Sequence, residues 1–144
     1  MSDFQLFVGT VYGSSVELAQ ECQAFLDSLG HTTTLYLSPE LPDLDSTKPL
    51  LLFSATTGMG DIPDNLMPFY CDLLDDQPDL SSLKFAVVGL GDSSYDYFNG
   101  AARRLNELLL ELGARPCVDP LWVDASQDPD PADPVMSWLA RWVD

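Results

Sequence analysis

Positive charge is what this chain has least of. Lysine and arginine number 6 against 23 aspartates and glutamates, a net charge of −17 over 144 residues. No lysine or arginine precedes Lys48. Such a surface repels nucleic acid and anionic membranes, so neither is expected as a partner. Histidine occurs once, as His31 after Gly30. A Ser-His-Asp triad built on it has no supporting motif, and a solvated position at a helix end is expected there. The three cysteines, Cys22, Cys71 and Cys117, cannot all pair, and their spacing suggests no metal site. Free buried thiols are expected, as suits a reducing compartment. No apolar run is long enough to span a bilayer. The opening Met1-Ser2-Asp3-Phe4-Gln5 carries no basic secretion segment, so a cytoplasmic location is expected.

What is present points to one folded domain over residues 1–144. Hydrophobic residues make up 46%, too many for a disordered chain. Phe4 to Val8 reads as a buried strand, because it is nearly continuous in apolar residues. Leu18, Cys22, Phe25 and Leu29 then repeat at helical spacing, and Gly30 closes that helix. Thr32 to Leu37 is rich in β-branched residues and reads as a second strand. Residues 38–49 hold three prolines and form a connector. Leu50 to Phe53 and Phe85 to Val88 give the third and fourth strands, with a helix from Leu66 to Leu74 between them. Ala102, Leu105, Leu109 and Leu112 mark the next helix. Cys117 to Val123 gives a fifth strand with a break at Pro120. Asp133 and Pro134 are placed as N-cap and N1 of a last helix that buries Val135, Trp138, Leu139 and Trp142. Alternating strands and helices imply an α/β fold with an open, five-stranded parallel sheet and helices on both faces.

Three loops carry the chemistry, and each follows the carboxyl end of a strand. The first holds Gly9, Thr10, Val11, Tyr12, Gly13, Ser14 and Ser15, between the first strand and the first helix. Unpaired N–H groups and the helix dipole make that junction a phosphate site. Thr10, Ser14 and Ser15 offer hydroxyl donors, and Tyr12 adds another. A phosphate held there is held mainly by neutral groups, since no lysine or arginine precedes Lys48, and the loop is neither a Walker A motif nor a dinucleotide turn. The same residues also serve as helix caps and turn formers. The second loop runs from Ser54 to Asn65 and the third from Gly89 to Asn99. Both mix glycine and small polar groups with flat or apolar residues. A planar heteroaromatic ring needs that mixture. Loops of about a dozen residues are uncommon unless functional. In an open parallel sheet, loops on the carboxyl edge flank the ligand crevice.

With these three loops in order, the sequence resembles the flavodoxins over its whole length. It is most similar to the short-chain MioC-like group and to the FMN domains of diflavin reductases. The resemblance implies a three-layer fold with strand order 2-1-3-4-5 and non-covalently bound FMN. It implies that Thr10, Val11, Tyr12, Gly13, Ser14 and Ser15 hold the phosphate. It assigns flavin contacts to Thr56, Thr57, Gly58, Met59, Gly60 and Asp61, and to Gly89, Gly91, Asp92, Tyr95, Phe98 and Asn99. Tyr95 is expected to stack on the isoalloxazine ring. Thr57 departs from the pattern, since diflavin FMN domains often carry a second aromatic there. The other flavin face is left to Thr57, Met59 or Ile62, or open. No insertion interrupts the fifth strand, unlike long-chain flavodoxins.

The function implied is one-electron transfer, with electrons arriving from a flavodoxin reductase and leaving to an acceptor enzyme. Basic-surfaced partners are expected, and the protein itself is expected to be a monomer without catalytic or metal-binding residues. The alternative is an FMN-dependent NAD(P)H or quinone reductase on the same fold. A receiver domain shares the strand order, but Gly9-Thr10 and Ser54-Ala55 stand where it needs acidic groups. A flavin-free interaction protein is separated by the absence of yellow colour.

Overall fold

Strands β1 (Asp3–Gly9), β2 (Thr32–Tyr36), β3 (Leu50–Ala55) and β4 (Lys84–Gly91) form a parallel sheet in the order β2-β1-β3-β4. The structure, a computed structural model, describes residues 2–10, 13–56, 60–94, 97–128 and 130–143, and Ser14 by its backbone alone. Two short strands, β5 (Arg115–Pro116) and β6 (Leu121–Asp124), share the fifth position, and both pair with β4. The order 2-1-3-4-5 therefore holds, but the single strand expected from Cys117 to Val123 is two pieces. Cys117 N still donates to Phe85 O at 2.8 Å, and residues 118–120 leave the ladder. Pro116 ends β5 and Pro120 lies in the gap, and neither has an N–H to donate.

The central strands β1, β3 and β4 alternate their side chains between two cores. Phe7, Leu50, Leu52, Phe85 and Val87 face α2 (Met67–Asp76) and α3 (Gly100–Glu111), and pack with Phe69, Leu73, Leu105 and Leu109. Phe4, Leu6, Val8, Leu51, Phe53, Ala86 and Val88 face α1 (Ser14–Ser28) and α4 (Ala132–Trp142), and pack with Leu18, Cys22, Leu26, Val135, Trp138 and Leu139. Burying such side chains stabilises by roughly 1.5–3 kcal/mol each. The layers are two helices, sheet, two helices. The β2–β3 connection holds only a short 3-10 turn, Leu41–Asp43.

Several local expectations change. Leu29 is exposed, because α1 has ended at Ser28 and its stripe runs through Leu18, Ala19, Cys22 and Leu26. His31 is buried, not solvated: the chain turns back onto the sheet at β2, and His31 Nδ1 accepts from Ser2 N at 2.9 Å. Of the cysteines only Cys22 is buried, and burial pushes its thiol up to about 12. Cys71 and Cys117 are exposed. Helix α4 starts before Asp133, and Asp130 Oδ1 accepts from Ala132 N at 3.0 Å. Pro134 is tolerated there because first-turn N–H groups need no helical partner. Trp142 is half-buried rather than buried.

Gln5 is the polar exception in β1, 3% exposed. Its Nε2 donates to Asp45 O at 2.6 Å and Lys48 O at 2.9 Å, and its Oε1 accepts from Asp45 N at 3.0 Å. One amide thus anchors the β2–β3 connector to the sheet. Gln5→Leu leaves those backbone groups without partners and is expected to destabilise the fold by about 1–3 kcal/mol in urea unfolding. An unchanged midpoint would show that water replaces the amide at no loss.

Candidate functional site

The strand register brings the three loops to one edge. Gly9 pairs with Ser54, Ser54 with Gly89, and Gly89 with Trp122. From β1 the chain turns outward to β2, and from β3 it turns the other way to β4. The loops after β1 and β3 therefore flank the switch point of the sheet.

The first loop ends in an uncapped helix. Gly13 is the N-cap of α1 with φ 86, and no side chain caps it. Thr10 Oγ1 accepts from Gly13 N at 2.8 Å, which sets the turn. Ser15 follows in the first turn. It is 1% exposed, and its Oγ has no hydrogen-bond partner. A buried hydroxyl without a partner is expensive, about 1–3 kcal/mol. An unpartnered hydroxyl beside free helix N–H groups suits an anion such as a phosphate. Val11 and Tyr12 lie outside the described residues.

Asn65, from the second loop, locks the first. Its Oδ1 accepts from Thr10 N at 3.0 Å. Its Nδ2 donates to Val8 O and to Leu37 O, the latter at 2.8 Å. One side chain therefore joins the ends of β1 and β2 to the loop after β3. Thr56 Oγ1 accepts from Ala101 N at 3.3 Å, which ties that loop to the start of α3. Gly60 is buried with φ 86, and a Cβ there would meet Tyr97 Cβ at 2.9 Å. A side chain at Gly100 would in turn meet Gly60 Cα at 3.0 Å. The second and third loops touch backbone to backbone. Asp61 is exposed, while Ile62 is 2% exposed and packs in the α2–α3 core. Thr57, Gly58 and Met59 lie outside the described residues.

The third loop is held by carboxylates and by a buried amide. Asp92 Oδ1 accepts from Ser94 N at 2.9 Å and Ser94 Oγ at 2.6 Å. Asp124, at the end of β6, accepts from Ser93 N at 2.9 Å, Ser126 N at 3.0 Å and Ser126 Oγ at 2.8 Å. Hydrogen bonds from Ser93, and then from Ser126, hold its carboxyl well below the usual carboxylate range. Asn99 is fully buried, and its Nδ2 donates to Val123 O at 3.3 Å. A Cβ at Gly91 would meet Asn99 Oδ1 at 2.6 Å, so only glycine fits beside that amide. Gly89 lies under Trp122, Ala102 and Asn99. Phe98 is half-buried, and its carbonyl accepts from Arg103 Nε at 3.1 Å. The Arg103 guanidinium lies 4.7 Å from the Trp122 ring centroid. Tyr95 lies outside the described residues.

Of the residues expected at a ligand, Thr10, Gly13, Ser15, Thr56, Gly60, Asp61, Gly89, Gly91, Asp92, Phe98 and Asn99 all belong to these three loops or their strand ends. Asn65, Asp124, Arg103 and Trp122 are positioning residues outside that set. Asn65 closes the run Pro63-Asp64-Asn65, which was a usable signal. Nothing local marks Asp124, whose partner Ser93 lies 31 residues away in sequence.

A family model described as Flavodoxin matches residues 6–138. Flavodoxin YqcA of Escherichia coli (strain K12) is 35% identical, covering 99% of this chain and 97% of that protein. Protein MioC of the same organism is 37% identical over 99% of this chain and 97% of its own length. A solved single-site mutant of flavodoxin from Pseudomonas aeruginosa superposes with a TM-score of 0.87 at 35% identity, covering 96% of this chain and 95% of that one.

Two outcomes are expected of the loop ties. Asn65→Ala frees the Thr10 amide and should weaken the affinity of apo-protein for FMN by about tenfold, on the scale of one to two lost hydrogen bonds. A fluorescence titration reads this, and an unchanged affinity sinks the positioning role of Asn65. Asp124→Ala should lower the melting temperature at neutral pH. The Asp124 carboxyl is held below its unfolded value, so its support is full above about pH 4 and is lost as pH falls through the lowered value. The melting gap between wild type and variant should therefore narrow as pH falls below about 4. A gap independent of pH contradicts the charged tie.

Proposed function

Because the chain belongs to the flavodoxin family, whose cofactor is FMN, we propose that it carries electrons one at a time between a separate reductase and a separate acceptor protein. It converts no substrate of its own on this reading. The observation that supports it most is the first turn of α1, where Ser15 Oγ is buried without a partner beside an uncapped helix end. These groups fit the FMN phosphate. Thr10, Val11, Tyr12, Gly13, Ser14 and Ser15 hold that phosphate with neutral donors, since the first loop contains no lysine or arginine. Thr56, Thr57, Gly58, Met59, Gly60 and Asp61, together with Gly89, Gly91, Asp92, Tyr95, Phe98 and Asn99, would contact the flavin, with Tyr95 stacked on its ring and the other face left to Thr57, Met59 or Ile62, or open.

FMN supplies the one-electron chemistry when bound. The chain binds it, orients it and tunes it. An uncompensated phosphate dianion and an acidic surface both disfavour added negative charge on the ring. The reduced protein should accordingly be a strong donor. The charge of −17 steers it to a basic patch on each partner. It acts as a cytoplasmic monomer on this reading. No described helix is long and apolar enough to cross a membrane.

The test is stopped-flow reduction of the FMN-loaded protein by a basic-surfaced NADPH-dependent flavin reductase, at increasing ionic strength. Screening over about 8–10 Å at ordinary salt should slow the reaction by tenfold or so between low and high salt. A rate flat in salt removes the steering argument. Sustained NAD(P)H oxidation by the pure protein would replace the carrier with the reductase reading.

A further inference from the structure

Both lysines of the chain line one cleft, and it lies at the sheet edge opposite the three loops. Ser2 precedes β1, Pro49 precedes β3 and Lys84 opens β4, so these are the amino ends of the strands. The third loop begins at Gly89, toward the far end of β4. A rise of about 3.3 Å per residue puts Gly89 about 17 Å from Lys84. This cleft is therefore independent of the FMN site, and the inference does not rest on the electron-carrier reading.

The cleft has a volume of 480 Å³, within the range of small-molecule sites. Its lining is unusual for this chain. Lys48 and Lys84 contribute two ammonium groups, and Ser46, Thr47 and Ser82 contribute hydroxyls. No aspartate or glutamate lines it among the described residues, in a protein with 23 of them. Lys84 lies near enough to Cys117, another lining residue, for its charge to act on the thiol. Arg115 is paired in register with Lys84 and adds a cation on the neighbouring strand. Lys48 has an ion pair with Asp45, but at 3.9 Å and about half exposed on both sides. That carboxylate already accepts from Thr47 N at 2.9 Å and Thr47 Oγ1 at 2.6 Å. Exposed pairs of this kind are weak, which leaves the ammonium available to another anion.

Trp142 closes one wall and supplies a flat ring. The ring is braced edge-on by Trp138 at 5.4 Å and Phe4 at 6.3 Å. Its Nε1 is buried without a hydrogen-bond partner. Cations and hydroxyls beside an indole ring match a phosphate joined to a planar ring. Inorganic phosphate alone would leave most of the space unfilled. The geometry points to a second ligand site, for a phosphate monoester of mononucleotide size, held by Lys48 and Lys84 with its ring against Trp142.

The experiment titrates the FMN-saturated protein with AMP and follows the amide and indole signals by two-dimensional NMR. Saturable shifts are expected at the Trp142 indole and at residues 46–49 and 82–84, with no change in the flavin absorbance. Adenosine, which lacks the phosphate, should bind at least about tenfold more weakly, as should AMP to the double variant Lys48→Gln, Lys84→Gln. Both lysines lie away from the FMN loops, and an unchanged flavin spectrum confirms that the variant is folded and loaded. Pyrophosphate should compete with AMP. Absence of saturation by AMP, equal affinity for adenosine, or undiminished binding to the double variant overturns the site. Shifts confined to residues 10–16 overturn it too, by assigning AMP to the cofactor loop.

Discussion

Phe7, Leu52 and Val87 point to one side of the sheet while Leu6, Leu51 and Ala86 point to the other, and none of them is left with a face to water. A parallel sheet buried on both faces needs a covering layer on each side. The covering helices require a crossover between successive strands, and right-handed crossovers send every strand the same way. All carboxyl ends then lie on one edge. The row Gly9, Ser54, Gly89 and Trp122 is the consequence. The loops need no attraction for one another to meet there.

What they do need is fixed shape, and polar groups supply it. Asn65 gives its whole amide to backbone at the ends of β1 and β2. Thr56 reaches the start of α3, and Asp124 gathers Ser93 and Ser126. Hydrogen bonds of this kind are directional, whereas apolar contacts at a rim would give area without register. Ser15 Oγ and Asn99 Oδ1 are buried and left without partners in the same loops. The loop shape is thus set mostly by satisfied polar groups, with these two atoms as the exceptions.

Charge is distributed with a similar division. Arg103, beside the third loop, is held against Trp122 and by the Phe98 carbonyl. Its charge is thereby kept on the α3 side of the sheet. The lysines are at the other edge. The two lysines of the chain thus lie together in a cleft at the amino edge, away from the three loops.

The amino-acid sequence by itself determined the first four strands, the four helices and the three loops. Apolar runs such as Leu50 to Phe53 and helical stripes such as Ala102, Leu105 and Leu109 are local patterns with one compatible local structure. The loop motifs were legible for the same reason, since glycine and hydroxyl spacing is local chemistry. The tertiary structure alone decided the rest. His31 followed a helix-ending glycine and looked exposed, yet Ser2 and Phe4 cover it from a strand that periodicity does not place beside it. The fifth strand split because its pairing with β4 fails between two prolines, and pairing is not a property of the segment. Asn65 stood in a legible run, but its reach to Val8 was not legible, and Asp124 and the lysine-lined cleft were invisible, all for one physical reason. Each rests on partners far away in sequence, such as Val8 for Asn65 or Ser93 for Asp124, and only the packed sheet sets those distances.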